Sequence, residues 1–286
     1  MIITGKTRLL GVIGHPIEHS LSPKMHNAAL NHLQLDYIYL PFNIPPEKLT
    51  QAIAGFEAIS LVGFNVTIPH KQAIMPLLQH MSQLAQTVGA VNTVWWNGSG
   101  WQGTNTDIAG FLSPLLLLQR DWPNITPVIL GHGGAARAVI VGCAELGCPA
   151  IHVVGRNLDK LSHFKASWLS TGLETQIYTH SWDKIESLLS QTELLINTTP
   201  LGMEPLTHIS PVEEAFWDKI KPGLIAYDLI YTPSPTLFLQ QAAQRGAHII
   251  DGREMLIQQG AAAFKIWLGK DAPLEVMREA MAVSKK

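Results

Sequence analysis

The sequence predicts an α/β protein of two domains, and three observations carry that prediction. Strand-like and helical segments alternate along most of the chain. A strand–turn–helix–strand unit with a glycine-rich turn begins only at Val128, so a separate set of elements must fill the chain ahead of it. The 286 residues, 47% of them hydrophobic, leave room for two cores. Pattern changes place the boundaries at 1–106, 107–250 and 251–286, the middle segment being a Rossmann-type nucleotide domain.

Arg8–Ile13 reads as a strand from its apolar run, and Pro23–Leu33 as a helix with proline in its first turn. Tyr37–Phe42 reads as a strand, Pro46–Gly55 as a helix, Gly63–Ile68 as extended, and Gln72–Met81 as a helix. Val94–Trp96 and Trp101–Gly103 flank Asn97-Gly98-Ser99-Gly100, a hairpin signal. Trp95, Trp96 and Trp101 lack interleaved basic residues, so they read as packing rather than a base-stacking platform. An apolar helix containing Pro114 follows Asp107, and Val128–Leu130 is the next strand. Ala138, Val141, Gly142 and Leu146 fall near helical spacing, Gly147 stops that helix, and Ile151–Val154 is a second strand. Glu193–Asn197, Gly223–Leu229 and His248–Ile250 read as strands, and Pro235–Arg245, Met255–Trp267 and Leu274–Val283 as helices.

Composition narrows the function. A formal charge of −2 offers no basic excess for nucleic acid. No apolar run approaches a membrane span, and Leu115–Leu118 is far too short. Met1–Gly14 carries Lys6 and Arg8 before an apolar stretch too brief for a secretory signal. Cys143 and Cys148 form neither a C-x-x-C pair nor a framework, which favours the reducing cytoplasm. The twelve histidines show no metal-ligand spacing, and Pro16 interrupts the helix that His15 and His19 would need, so no metal is expected.

The richest chemical signal is Gly131-His132-Gly133-Gly134-Ala135-Ala136, a G-x-G-x-x-A turn between strand and helix. Its first glycine permits a tight turn, the second lets a pyrophosphate approach the backbone, and the small third residue packs helix on strand. Helix-start N–H groups and the dipole then face the anion. Where an NAD site would place an acid, this chain has Arg156, with Lys160 close behind. Two cations suit a 2′-phosphate and favour NADP; a solvated surface arginine is the alternative.

Other candidates lie in the first domain. Ser20 and Ser22 precede a helix, where Ser22 is either a simple N-cap with Pro23 as first helical residue, or part of a carboxylate site. Pro69 opens a short helix that puts Lys71 in its first turn, where the dipole opposes an ammonium by about 0.3–1 kcal/mol and eases proton loss. A solvated lysine is the plainer reading. Asp107 is either another cap or a partner for Lys71 that orients a substrate hydroxyl. Gln259 lies on an apolar helix stripe, and its amide requires either backbone partners or a polyhydroxylated ligand.

Taken in order, these segments resemble the shikimate dehydrogenase family from Arg8 to Gly269. The residues carrying the resemblance are Gly14-His15-Pro16-Ile17-Glu18-His19-Ser20-Leu21-Ser22-Pro23, Asn65-Val66-Thr67-Ile68-Pro69-His70-Lys71, Gly89-Ala90-Val91-Asn92-Thr93 and Asn105-Thr106-Asp107. The glycine turn, Asn197-Thr198-Thr199-Pro200-Leu201-Gly202-Met203, Asp228-Leu229-Ile230-Tyr231-Thr232-Pro233 and Asp251-Gly252-Arg253-Glu254-Met255-Leu256-Ile257-Gln258-Gln259-Gly260 complete it. The resemblance implies reversible, NADPH-dependent reduction of 3-dehydroshikimate to shikimate in aromatic amino-acid biosynthesis. It implies that Ser20, Ser22 and Tyr231 bind the carboxylate, that Thr67, Asn92, Asp107 and Gln259 hold ring hydroxyls, and that Lys71 and Asp107 are the catalytic pair. Gly131 to Ala136, Arg156, Lys160, Thr198 and Leu229 would bind the cofactor, with Met203, Gly252 and Met255 near its nicotinamide. It further implies two α/β domains with a cleft between them, the closing helices rejoining the first, in a monomer or homodimer.

This chain departs from the family pattern at several positions. Thr104 replaces a common acid, Ile108 a frequent glycine, and His132 the usual alanine of the turn. Gly155 and Asn157 replace asparagine and threonine around Arg156. Two rival readings stay open: a quinate/shikimate dehydrogenase using NAD, and a noncatalytic NADP-binding sensor on the same fold.

Overall fold

The computed structural model describes residues 2–282. The chain divides into two units, Met1–Gly110 with Leu256–Lys286, and Phe111–Met255.

The first unit runs β1 (Arg8–Gly14), α1 (Ser22–His32), β2 (Tyr37–Asn43), α2 (Leu49–Ala58), β3 (Gly63–Val66), α3 (His70–Ala73), β4 (His80–Met81), α4 (Gln83–Val88), β5 (Thr93–Trp96) and β6 (Trp101–Thr104), and enters α5 (Asp107–Leu116). Its sheet has the order β2-β1-β3-β5-β6-β4. Strands β2, β1 and β3 are parallel, whereas β5 runs antiparallel to both β3 and β6 across the hairpin expected at Asn97–Gly100. Phe64 sits edge-on to Trp101, with ring centroids 5.2 Å apart, in a core that also takes Ile13, Phe56, Val66 and Val94. Trp101 thus serves packing.

Two local expectations fail here. The helix expected over Gln72–Met81 breaks after Ala73 into a 3-10 turn at Met75–Leu77 and then β4. Pro76 lacks the N–H a helix needs, and the His80–Met81 backbone pairs instead with Gln102–Gly103. Ser22 is not the cap of α1: Leu21 holds that position in helical conformation, no side chain caps the helix, and Ser22 is its first residue.

The second unit continues with β7 (Val128–Leu130), α6 (Gly134–Glu145), β8 (Ala150–Gly155), α7 (Leu158–Ala166), β9 (Gln176–Ser181), α8 (Ile185–Leu189), β10 (Leu194–Asn197), β11 (Ile225–Asp228), α9 (Leu237–Gln244) and β12 (His248–Ile250). Its strands are all parallel, in the order β12-β11-β10-β7-β8-β9. The central strands β7, β10 and β11 are wholly buried, which is why they read as short unbroken apolar runs. Strand order turns outward from β7 toward β8 on one side and β10 on the other, and the crevice at such a point is where ligands of open α/β sheets bind.

Helices α10 (Gly252–Leu268) and α11 (Leu274–Met281) end the described chain; Val283 of the expected last helix lies outside the described residues. From Leu256 onward they belong to the first unit. A Cβ on Gly260 would lie 2.4 Å from Met25 Cε, so α10 packs closely on α1 here. Trp267 Nε1 donates to Val94 O at 2.9 Å, tying α10 to β5. No helix among the described residues is long and apolar enough to cross a membrane.

Candidate functional site

In the first unit the C-terminal ends of β1 and β3 lie side by side, and all the candidate substrate residues except Tyr231 belong to this unit. Thr67 N donates to Ile13 O at 2.9 Å, which sets Thr67 beside Gly14, where a Cβ would fall 2.5 Å from Thr67 Cγ2. Ser20 and Ser22 stay close, Ser22 N reaching Ser20 Oγ at 3.4 Å. Lys71 is held through its backbone, its carbonyl accepting from Val91 N at 2.8 Å. Its helix is only four residues long, so the dipole argument made for it from sequence has little to act through.

The decisive contact joins Lys71 to Asp107. Lys71 Nζ lies 2.5 Å from Asp107 Oδ2, and the two side chains are 15% and 6% exposed. The other carboxylate oxygen accepts from Asn92 Nδ2 at 2.7 Å. Asn92 is itself oriented, because its Oδ1 accepts from Thr106 N at 2.7 Å and from Thr93 Oγ1 at 3.0 Å. With Oδ1 so occupied, only the amide nitrogen can face Asp107. Asn65 extends the chain: it donates to Thr93 Oγ1 and Asn92 O and accepts from Tyr39 Oη at 2.7 Å. Gln259 has the backbone partner foreseen for it, donating to Leu256 O at 2.7 Å, and it also accepts from Asn92 Nδ2 at 3.3 Å.

Asp107 therefore has a partner on each oxygen, and the Lys71 amine beside it has hydrogen-bonding capacity to spare. Such a pair can position a hydroxyl and move its proton. Thr93, Asn65 and Thr106 were not singled out from sequence. The recurring asparagine–threonine neighbours at 65–67, 92–93 and 105–106 were the available signal.

The second unit holds the candidate cofactor residues. Gly131 adopts φ +103°, and a Cβ there would lie 2.7 Å from Thr198 Oγ1, so the turn requires glycine. Thr198 is fixed by its hydroxyl, which donates to Leu130 O at 2.7 Å. Gly133 occupies the cap of α6 without any side-chain cap, and a Cβ there would meet open space. The first N–H groups of α6, from Gly134 to Ala136, thus have no side-chain cap, an arrangement that suits a phosphate. At the end of β8, Asn157 Oδ1 accepts from Lys160 N at 2.9 Å and caps α7, leaving Arg156 and Lys160 on an exposed edge. Neither makes an ion pair among the described residues, and the donor set suits a 2′-phosphate.

A second buried network, missed from sequence, shapes the loops after β10 and β11. Asp228 accepts from Thr236 Oγ1 at 2.6 Å, Asn197 Nδ2 at 3.0 Å and Ile230 N at 3.1 Å. Burial pushes its pKa up to about 6 against those bonds. Asn197 also donates to Leu201 O, so one carboxyl shapes both the loop bearing Met203 and the loop bearing Leu229 and Tyr231. Gly252 approaches that second loop closely, a Cβ there falling 2.1 Å from Leu229 O. Met203 is exposed and Met255 buried, and Tyr231 is half-buried in this unit.

Residues 12–94 match the shikimate dehydrogenase substrate binding domain, and residues 252–282 the shikimate 5'-dehydrogenase C-terminal domain. A shikimate dehydrogenase (NADP(+)) of Microcystis aeruginosa is 61% identical over 280 residues, 98% of each chain. The chain belongs to the shikimate dehydrogenase family. Solved structures of the family share its fold. A shikimate dehydrogenase in complex with NADP+ superposes with a TM-score of 0.87 at 38% identity, covering 98% of this chain and 96% of that one. Another, from Thermus thermophilus in complex with NADP(H) and shikimate, gives 0.82 at 32% identity, covering 96% and 98%.

Proposed function

We propose that this chain is an NADP-dependent shikimate dehydrogenase, reversibly reducing 3-dehydroshikimate to shikimate on the route to chorismate and the aromatic amino acids. The observation that carries the reading is Lys71 against Asp107, with Asn92 on the second carboxylate oxygen. Family relatives named for NADP, together with the free cations Arg156 and Lys160, support the choice of cofactor.

When bound, NADPH supplies the hydride to the ring ketone. Lys71 protonates or stabilises the alkoxide that develops, and takes the proton back in the reverse direction. Asp107 keeps the ammonium aimed and accepts from the neighbouring hydroxyl. Ser20 and Ser22 hold the carboxylate near the positive start of α1, and Thr67, Asn92 and Gln259 hold ring hydroxyls. The segment 1–106 with the closing helices 251–286 acts as the substrate domain, and 107–250 as the NADP domain. A cytoplasmic setting fits two buried cysteines left unbridged. Sedimentation would separate a monomer from a homodimer.

Absorbance of NADPH with purified protein and 3-dehydroshikimate tests the reading, followed by NADH and by quinate in the reverse direction. Fast NADPH oxidation, with NADH and quinate both poor, is expected. Tight NADPH binding without turnover would restore the sensor reading.

A further inference from the structure

His132 of the glycine turn meets Gly155 at the end of β8. A Cβ built on Gly155 would lie 3.0 Å from His132 Nδ1, with Leu161 Cδ2 at the same distance. The imidazole thus fills the space that a side chain at 155 would need. The polar group against the end of β8 comes from the glycine turn, with the Leu161 side chain beside it.

That position is where a nucleotide domain reads the ribose of its dinucleotide. The His132 ring stands edge-on to Phe164, with centroids 6.0 Å apart. The charged groups around it are cationic. Lys160 acts on it from the first turn of α7, and Arg156 follows Gly155 in the chain. Arg137 of α6 lies over the same Phe164 ring at 5.5 Å. Asp159, also in the first turn of α7, is exposed, and the end of β10 brings Thr198 and Thr199 to the turn. Burial, and then Lys160, holds the His132 pKa below its ordinary value.

We propose that His132 is the third cation of the 2′-phosphate subsite, neutral in the free protein and protonated when the phosphate arrives. The inference rests on the NADP reading above. A phosphate dianion offsets the Lys160 field and accepts a charge-assisted hydrogen bond from the imidazolium. The proton comes from solvent, so cofactor binding takes up a proton, and the contribution of His132 fades as pH rises.

Fluorescence titration tests this with NADPH, NADH and adenosine 2′,5′-bisphosphate at pH 6 and pH 8. Wild type is compared with His132→Ala and His132→Asn. The phosphate's own ionisation, near pH 6, affects all three proteins alike and cancels in the comparison. His132→Ala is expected to weaken both 2′-phosphate ligands about tenfold at pH 6 and little at pH 8, leaving NADH unchanged. His132→Asn should lose the pH dependence while keeping part of the affinity. Calorimetry in buffers of different ionisation enthalpy should show proton uptake only in wild type. Gly155→Ala, which crowds the ring, should weaken NADPH in wild type and add little in His132→Ala. A preference for NADPH that His132→Ala leaves unchanged at both pH values overturns this proposal alone. No preference for NADPH in wild type overturns the NADP reading beneath it.

Discussion

His26 offers a test of the first unit that is independent of catalysis. Its imidazole is 0% exposed and stacks on Tyr39, with centroids 4.3 Å apart. Neither ring nitrogen has a hydrogen-bond partner among the described residues. Burial lowers its pKa from 6.5 to about 3. The unfolded chain therefore binds a proton that the folded chain refuses. Stability is fully present above pH 6.5 and is lost as pH falls toward about 3. Within that window the loss runs at about 1.4 kcal/mol for each step of one in pH, so going from pH 7 to pH 5 removes about 2 kcal/mol through this one group. The assay is urea unfolding of wild type and His26→Phe at pH 7 and pH 5, comparing how much each loses. Every other titrating group is common to both proteins and cancels, and any change in packing is the same at the two pH values. Wild type should lose about 2 kcal/mol more than the variant. Equal losses would mean that the ring is protonated or hydrated in the folded protein, and the argument from its burial would be wrong.

Two further outcomes follow from the site. Lys71→Ala should lower kcat about 10²–10⁴-fold with a much smaller change in KM, as seen in steady-state rates with shikimate and NADP. It should also lower stability by about 3 kcal/mol or more, because Asp107 keeps a buried charge without its ion partner; chemical denaturation would show this. Gly252→Ala forces a methyl to within 2.1 Å of a backbone oxygen, so it should cost about 1–3 kcal/mol in unfolding and weaken NADPH binding by displacing the loop after β11.

The sequence announced the second unit through a few dense signals. Val128–Leu130, the glycine turn and Ile151–Val154 hold the expected strand–turn–helix–strand order because buried parallel strands write themselves as short apolar runs. Stretches with mixed polarity stayed silent. Gln176–Ser181 is a half-exposed edge strand without clean alternation, and α7 and α8 carry only short apolar stripes. Residues 72–81 looked helical by composition, yet Pro76 and a partner strand beyond residue 100 decide their fate. In the site, Lys71, Asn92, Asp107 and Gln259 were visible within motifs, but their orientation was not. The Asn92–Gln259 bond spans 167 residues, and the hydroxyl of Thr93, which fixes how Asn92 faces, looks like any other strand threonine.

The fixed attitude of Asn92 makes position 92 unusually intolerant of a very small chemical change. Its Nδ2 sits 2.7 Å from an anionic oxygen, and Thr106 N prevents the group from turning over. Hydrolysis of that one amide, the ordinary lesion of protein ageing, would set oxygen against oxygen and force one of the two carboxyls to keep a proton. Replacing a single nitrogen by oxygen would silence the centre with the fold intact.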